Sequence, residues 1–253
     1  MEIGGKVAVV SGAASGIGRA TALRLADEGA RVLVSDVNAA AGEEAVAAIH
    51  STGGEAHFVR VDVTEDAQLR HQFEAATERF GGVDIVFNNA GIATGLPAWP
   101  ETPPEKWART LAINLAAVIR ATQLAIPYLR QRGGGAIVNN ASMAGLNGFW
   151  LDPVYAASKG GVVLFTRSLA RMKETDNIVV CCVCPGAVDT PIWRAAEDES
   201  WQRLIDQIPH FGPEAIADAV VYLIRDENAA GKALAVRSAD ERRYAEPALA
   251  MGP

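Results

Sequence analysis

Ser142, Tyr155 and Lys159 have the residue types and spacing for proton transfer. Tyr155 and Lys159 stand four residues apart, so on a helix they share one face. A lysine ammonium beside a phenol favours the phenolate, because an opposite charge stabilises the ionised form. Free tyrosine titrates at ~10, too high for a general base at neutral pH, so that lowering matters. Ser142 lies in the loop before, where its hydroxyl can hydrogen-bond a substrate oxygen. The competing explanation is a surface Tyr/Lys pair at helical spacing, and a bare Tyr-x-x-x-Lys does not separate the two.

The elements that position these groups can be read from the pattern. Asp152 followed by Pro153 is a helix-start signal, and the helix is expected to run to about Lys173. Residues 135–140 form an apolar strand that delivers Ser142, and 178–184 form a continuous apolar strand of buried parallel type. Pro103-Pro104 opens a long helix through Arg132 that contains Asn114. An asparagine inside an otherwise apolar helix needs a partner if buried, though it can equally be a core amide at a local kink.

The start of the chain changes the odds. A short apolar run at 6–10 leads into Ser11-Gly-Ala-Ala-Ser-Gly-Ile-Gly18, and then into an apolar-periodic stretch that stops at Gly29. Strand, glycine turn and helix make a place where a backbone can approach a pyrophosphate at a helix N-terminus. The next strand, 31–35, ends at Asp36, an acidic residue about 20 residues past the glycines that can accept from ribose hydroxyls. It also repels a 2′-phosphate, and neither Ser15 nor Val37 supplies a compensating cation. The plainer readings are an ordinary glycine-containing turn and a helix cap. A third strand, 56–61, leads into Asp62-Val63, and a fourth, 83–87, into Asn88-Asn89-Ala90-Gly91. Small polar turns at strand carboxyl ends are where open α/β sheets bind ligands. A helix at 215–224 and a last strand at 232–236 close the pattern. Strands alternating with helices predict an α/β fold, a doubly wound parallel sheet with helices on both faces. No linker, repeat or low-complexity segment divides the 253 residues, so one domain, 1–253, is expected. Within it, about 190–212 reads as a substrate flap and 238–253 as an irregular tail.

Composition excludes several classes. The net charge of −7 repels phosphate backbones and argues against nucleic-acid binding. No run of 18 apolar residues exists, so no membrane partner is expected. Met1 to Lys6 lacks the apolar region of a signal peptide, which with the cysteine usage points to the cytoplasm. Cys181, Cys182 and Cys184 crowd one apolar run and read as small buried hydrophobes rather than disulfide partners. A metal is not expected there, because neighbours on a strand point to opposite faces and no second ligand pair is evident.

Taken together, Gly12-x-x-x-Gly16-x-Gly18, Asp62-Val63, Asn88-Asn-Ala-Gly91, Asn114, Ser142, Tyr155-x-x-x-Lys159 and Pro185-Gly186 occur in one order. That order resembles the classical short-chain dehydrogenases/reductases over about residues 5–225. Ser-Met-Ala-Gly145, Pro153-Val-Tyr155 and Ala217-Asp-Ala-Val…Arg225-Asp-Glu resemble the 15-hydroxyprostaglandin dehydrogenase-like branch. The resemblance implies Tyr155 as general acid/base, with Lys159 lowering its pKa and holding the nicotinamide ribose. It implies Ser142 polarising the substrate oxygen and Asn114 supporting a water for proton relay. Gly12, Ser15, Gly16, Ile17 and Gly18 would bind the pyrophosphate side. Asp62, Val63, Asn89, Ala90 and Gly91 would lie along adenine and ribose, and Pro185, Gly186, Val188 and Thr190 would flank the nicotinamide. Two departures stand out. Ser11 replaces the family's usual Thr, and Ala235-Val-Arg-Ser-Ala-Asp-Glu-Arg-Arg-Tyr244 replaces the usual Asp-Gly-Gly ending, which puts the usual tetramer in doubt.

The expectation is an NAD-dependent oxidoreductase moving a hydride between the cofactor and a secondary alcohol or ketone on a largely apolar skeleton. Thr94, Leu96, Gly148, Phe149, Trp150, Ile192 and Trp193 are the candidate substrate-lining residues, and their apolar bulk is the reason. A non-catalytic NAD sensor on the same fold is the alternative, and it would need only the glycine turn and Asp36. A sugar-nucleotide epimerase is a third reading, for which the chain is short. Ala157, Gly161, Leu164 and Ser168 draw one stripe along the Tyr155 helix, roughly opposite the catalytic face, and predict a homodimer through the long helices.

Overall fold

The computed structural model describes residues 1–194 and 207–246, and for 193 and 194 the backbone alone. The apolar runs become strands: β1 Val7–Ser11, β2 Arg31–Asp36, β3 Glu55–Arg60, β4 Ile85–Asn88, β5 Gly135–Asn140, β6 Ile178–Pro185 and β7 Ala233–Val236. A further strand, β8 Arg242–Tyr244, follows. They form one sheet in the order β3-β2-β1-β4-β5-β6-β7-β8. Neighbours run parallel except β7 and β8, which are antiparallel. The chain winds outward from β1 through β2 to β3, then returns to place β4 on the other side of β1. That reversal opens a crevice at the carboxyl ends of β1 and β4, the place where such sheets take ligands.

Helices cover both faces. They are α1 Gly16–Asp27, α2 Ala39–Ser51, α3 Asp66–Phe80, α4 Pro104–Leu111, α5 Ala117–Gln131, α6 Ala144–Asn147, α7 Pro153–Ser168, α8 Met172–Asp176, α9 Pro191–Arg194 and α10 Glu214–Arg225. On one face Ala8, Val10, Val32 and Phe87 pack under α1 and α10 through Leu25, Ile216 and Leu223. On the other face Val9, Leu33, Val86 and Ile137 pack under α3 and α5 through Phe73, Leu124 and Leu129. The alternation of side chains along each strand sends neighbours to opposite faces, so both sets come from the same short apolar runs.

Three elements differ from the sequence pattern. The helix expected from 104 to 132 is interrupted by a π-helical turn, Ala112–Ala116, because Asn114 turns inward to serve another main chain. The Tyr155 helix stops at Ser168 rather than near Lys173. Leu169 and Ala170 donate to Thr166 and Arg167, a tightened last turn, and α8 starts afresh. The tail expected to be irregular carries β8, whose pairing of Val236 with Arg242 and Leu234 with Tyr244 closes the edge of β7. Tyr244 is held there by a hydrogen bond to Asp226 and by the Lys232 ammonium over its ring.

Pro104–Gln131 is long and apolar enough by composition to span a membrane. It is broken by the π turn, carries Lys106, Arg109, Arg120 and Arg130, and packs against α3, α7 and the sheet. Those are the features of a core helix.

Candidate active site

The glycine turn needs its glycines at two positions. Gly12 has φ +62°, and a Cβ there would lie 2.8 Å from Cα of Ala90. A Cβ on Gly18 would lie 2.1 Å from the Gly12 carbonyl oxygen. The turn therefore presses directly against the end of β4 and against the start of α1. No side chain caps the α1 N-terminus, and its first turn holds no acidic residue. Free N–H groups and the helix dipole leave that end suited to an anion.

Amides fix the strand ends around it. Asn89 donates from Nδ2 to the carbonyls of Ser11 and Gly12, both at 3.0 Å, and accepts at Oδ1 from Asn140 Nδ2 at 2.8 Å. Asn88 and Asn139, paired across β4 and β5, are joined on the opposite face at 2.9 Å. Asp36 accepts from the amides of Ala14 at 3.0 Å and Asn38 at 2.9 Å, so its carboxylate is oriented at the end of β2.

From Asp36 a cleft of about 1080 Å³ runs past the glycine turn to Tyr155. Gly12, Ser15, Gly16, Ile17, Asp36, Asp62, Val63, Asn89, Ala90 and Gly91 line one part. Ser142, Tyr155, Lys159, Pro185, Gly186, Val188, Thr190, Thr94, Leu96 and Ile192 line the rest. Gly18 lies behind the wall as the close-approach glycine of α1. Val37, Val61, Lys106, Arg109, Ile113, Asn140 and Ala141 also line it, and no motif in the sequence singles them out. Gly148, Phe149 and Trp150 are not part of the described wall. The Asp152 amide donates to the Phe149 carbonyl at 3.1 Å, closing a turn with Trp150 at its tip, and Trp150 is 81% exposed. The Trp193 side chain lies outside the described residues.

At the inner end Asp152 caps α7, accepting from the Tyr155 amide at 2.9 Å. Tyr155 and Lys159 are both buried, with Nζ 5.8 Å from the ring centroid. Lys159 donates to the Asn140 carbonyl at 2.7 Å. Burial pushes the Tyr155 phenol up to about 12; a hydrogen bond with Ser142 opposes this, while Asp152 and Cys184 add to it. Burial also pushes Lys159 down to about 8. The direction is opposite to the lowering expected from Lys159: burial is the largest cause, and the hydrogen bond with Ser142 is what opposes it. Asn114, fully buried, accepts from the Ile92 amide at 2.9 Å and donates to the Ile92 carbonyl at 2.8 Å and to Ser158 Oγ at 3.1 Å. It sits behind the cleft wall. A phenol, a hydroxyl and an amine in one enclosed cluster can pass a proton to or from a bound oxygen.

The family model for short chain dehydrogenases matches residues 6–201. The chain belongs to the short-chain dehydrogenase family. Among its relatives, human 15-hydroxyprostaglandin dehydrogenase [NAD(+)] is 38% identical over 245 residues, covering 90% of this chain and 89% of the relative. Cyclohexanol dehydrogenase of Acinetobacter sp. (strain SE19) is 37% identical over 223 residues, covering 88% of each. The crystal structure of levodione reductase superposes with a TM-score of 0.87 at 30% identity, covering 92% of this chain and 96% of that one. Short-chain dehydrogenases are oxidoreductases that bind a nicotinamide cofactor, and the cleft fits one. The glycine cradle that a Cβ would fill, the uncapped α1 N-terminus and the oriented Asp36 suit an elongated dinucleotide.

Proposed function

We propose that the protein is an NAD-dependent dehydrogenase of secondary alcohols, or reductase of the matching ketones, on a largely apolar skeleton. The observation that carries this reading is the enclosed cluster of Ser142, Tyr155 and Lys159 at the inner end of a dinucleotide-sized cleft. A sensor would need groups that hold the cofactor but has no use for a phenol and a hydroxyl, Tyr155 and Ser142, set together at the cleft's inner end. Asp36 supports NAD over NADP, since its carboxylate meets the ribose end with no cation at Val37. Gly12, Ser15, Gly16 and Ile17 would hold the pyrophosphate, and Lys159 and Asn89 the ribose hydroxyls. A bound nicotinamide supplies the hydride acceptor.

The protein's own work is proton handling and orientation. Ser142 Oγ donates to the substrate oxygen and holds it beside Tyr155. Tyr155 Oη, in its phenolate form, would take the hydroxyl proton of the alcohol, and a bound nicotinamide would be the acceptor of the C–H hydride, leaving a ketone. Thr94, Leu96 and Ile192 exclude water on the substrate side. Asn114 acts behind the wall, by shaping the main chain of Ile92. A homodimer through α5 and α7 and a reducing, cytoplasmic location complete the proposal. Ala157, Leu164 and Ser168 are exposed, while Gly161 packs on Leu115. The three cysteines are buried and free.

The test is a panel of secondary alcohols with NAD, including cyclohexanol and open-chain analogues, read by formation of reduced cofactor. Turnover of apolar secondary alcohols is expected. NAD binding with no turnover across alcohols and ketones would favour the sensor.

A further inference from the structure

Residues 92–96 form one wall of the cleft. Alternate residues of this segment are each held by a side chain from elsewhere. Asn114 bonds both main-chain groups of Ile92. Lys106 donates to the Leu96 carbonyl. Between them, Asp152 Oδ2 accepts from the Thr94 amide at 2.7 Å. Asn114 and Lys106 come from the π turn and α4. Asp152 alone comes from the cap of α7, and its other oxygen accepts from the amide of Tyr155 at 2.9 Å. One carboxylate thus joins the main chain of the wall to the main chain of the phenol.

A helix cap by itself needs one acceptor, which serine, threonine or asparagine supplies as well. Asp152 is only 4% exposed, and a buried carboxylate is costly unless its oxygens are paired. Two converging N–H donors account for the choice. Asparagine would bring one acceptor and set its NH₂ against the second amide, leaving a buried donor unpaired.

We propose that Asp152 is a positioning residue that locks the substrate wall to Tyr155, so that the alcohol and the phenol keep one relative placement. It acts through Thr94 and Tyr155 and touches no reacting atom. The proposal rests on Tyr155 being the acid/base.

Amide hydrogen exchange on the unaltered protein is the first arm. The Thr94 amide should exchange as slowly as that of Tyr155; exchange at the rate of an open loop overturns the lock. The second arm compares Asp152→Asn and Asp152→Ser, both of which keep a cap for Tyr155. Thr94 exchange should quicken roughly tenfold or more, the loss of a bond to a charged acceptor. KM for the fastest alcohol of the panel should rise about fivefold or more, while NAD affinity stays at the wild-type value. Unchanged Thr94 exchange in a folded variant, or equal losses for alcohol and NAD, overturns the proposal. If neither variant folds, the first arm decides. Wild-type turnover in Tyr155→Phe would remove the base assignment and the KM arm with it, but the exchange arm would still judge the lock.

Discussion

The Lys159 ammonium donates to the main-chain oxygen of Asn140 at 2.7 Å, tying α7 to the end of β5. Ser142 follows two residues later, so two elements that meet only in space hold the three reactive groups in register. The bond also keeps a lysine 3% exposed.

That burial has a signature in stability. Lys159 falls from an ordinary 10.5 to about 8, so between those values the unfolded chain binds the extra proton. Stability contributed by this group therefore rises with pH across that window and is complete above it, by an order of magnitude of about 3 kcal/mol at most. Tyr155, raised from 10.0 to about 12, acts in the opposite sense: its contribution is full below the lower value and lost toward the upper. Thermal melts should show a midpoint that climbs from pH 8 to pH 10 more steeply than in Lys159→Met, in which this slope is removed. Equal slopes in the two proteins would contradict the assignment.

Removing the phenol should remove the proton carrier. Tyr155→Phe is expected to lose about 10²–10⁴ in kcat, with NAD affinity intact by titration. Because the phenol titrates high, alcohol oxidation should accelerate steadily toward alkaline pH, while ketone reduction, which uses the protonated form, should not. An oxidation profile already flat at neutral pH would speak against a raised Tyr155.

Coenzyme choice should follow charge at the end of β2. The native protein should show higher kcat/KM with NAD than with NADP. Asp36→Ser should weaken NAD by about 10–100-fold, the range for hydrogen bonds to a charged group. Part of that loss would come from the Ala14 amide, which Asp36 also holds. Kinetics with both coenzymes decide; a native preference for NADP would show that Asp36 is misread.

Assembly should follow the uncovered stripe on α7. Leu164 is 63% exposed there. Light scattering at low micromolar concentration should return a dimer mass, and Leu164→Arg should return a monomer by burying an unpaired charge in the contact. A native monomer contradicts the stripe, and a native tetramer contradicts the reading of the charged tail.

Much of the fold and site is legible from local pattern. Strand alternation with helices, the glycine turn, and Tyr155 four residues before Lys159 depend on near neighbours in the chain. What escapes depends on distant ones. Asn114 stands out as a polar residue in an apolar helix, but its partners, Ile92 and Ser158, lie 22 and 44 residues away, and the π turn falls where it meets them. Asp152 reads as a cap, yet its second bond reaches Thr94 across 58 residues. Asn140 carries no motif signal, because its role is set by the neighbouring strand through Asn89. Apolar bulk puts the loop at Gly148, Phe149 and Trp150 in the pocket, but bulk does not say which way a turn faces. Charge alone predicts a lowered phenol, and burial, invisible to spacing, reverses the direction.

β8 also bears on how the molecule stays apart from its own kind in concentrated solution. β7 is fully buried, four apolar residues whose outer row of amides and carbonyls is covered by three residues of tail. An uncovered strand of that kind is a template for edge-to-edge aggregation. β8 replaces it with an edge that shows Arg242 and Arg243 to solvent. Trimming the chain before Arg242 would therefore be felt first as loss of soluble yield, ahead of any change at the cleft.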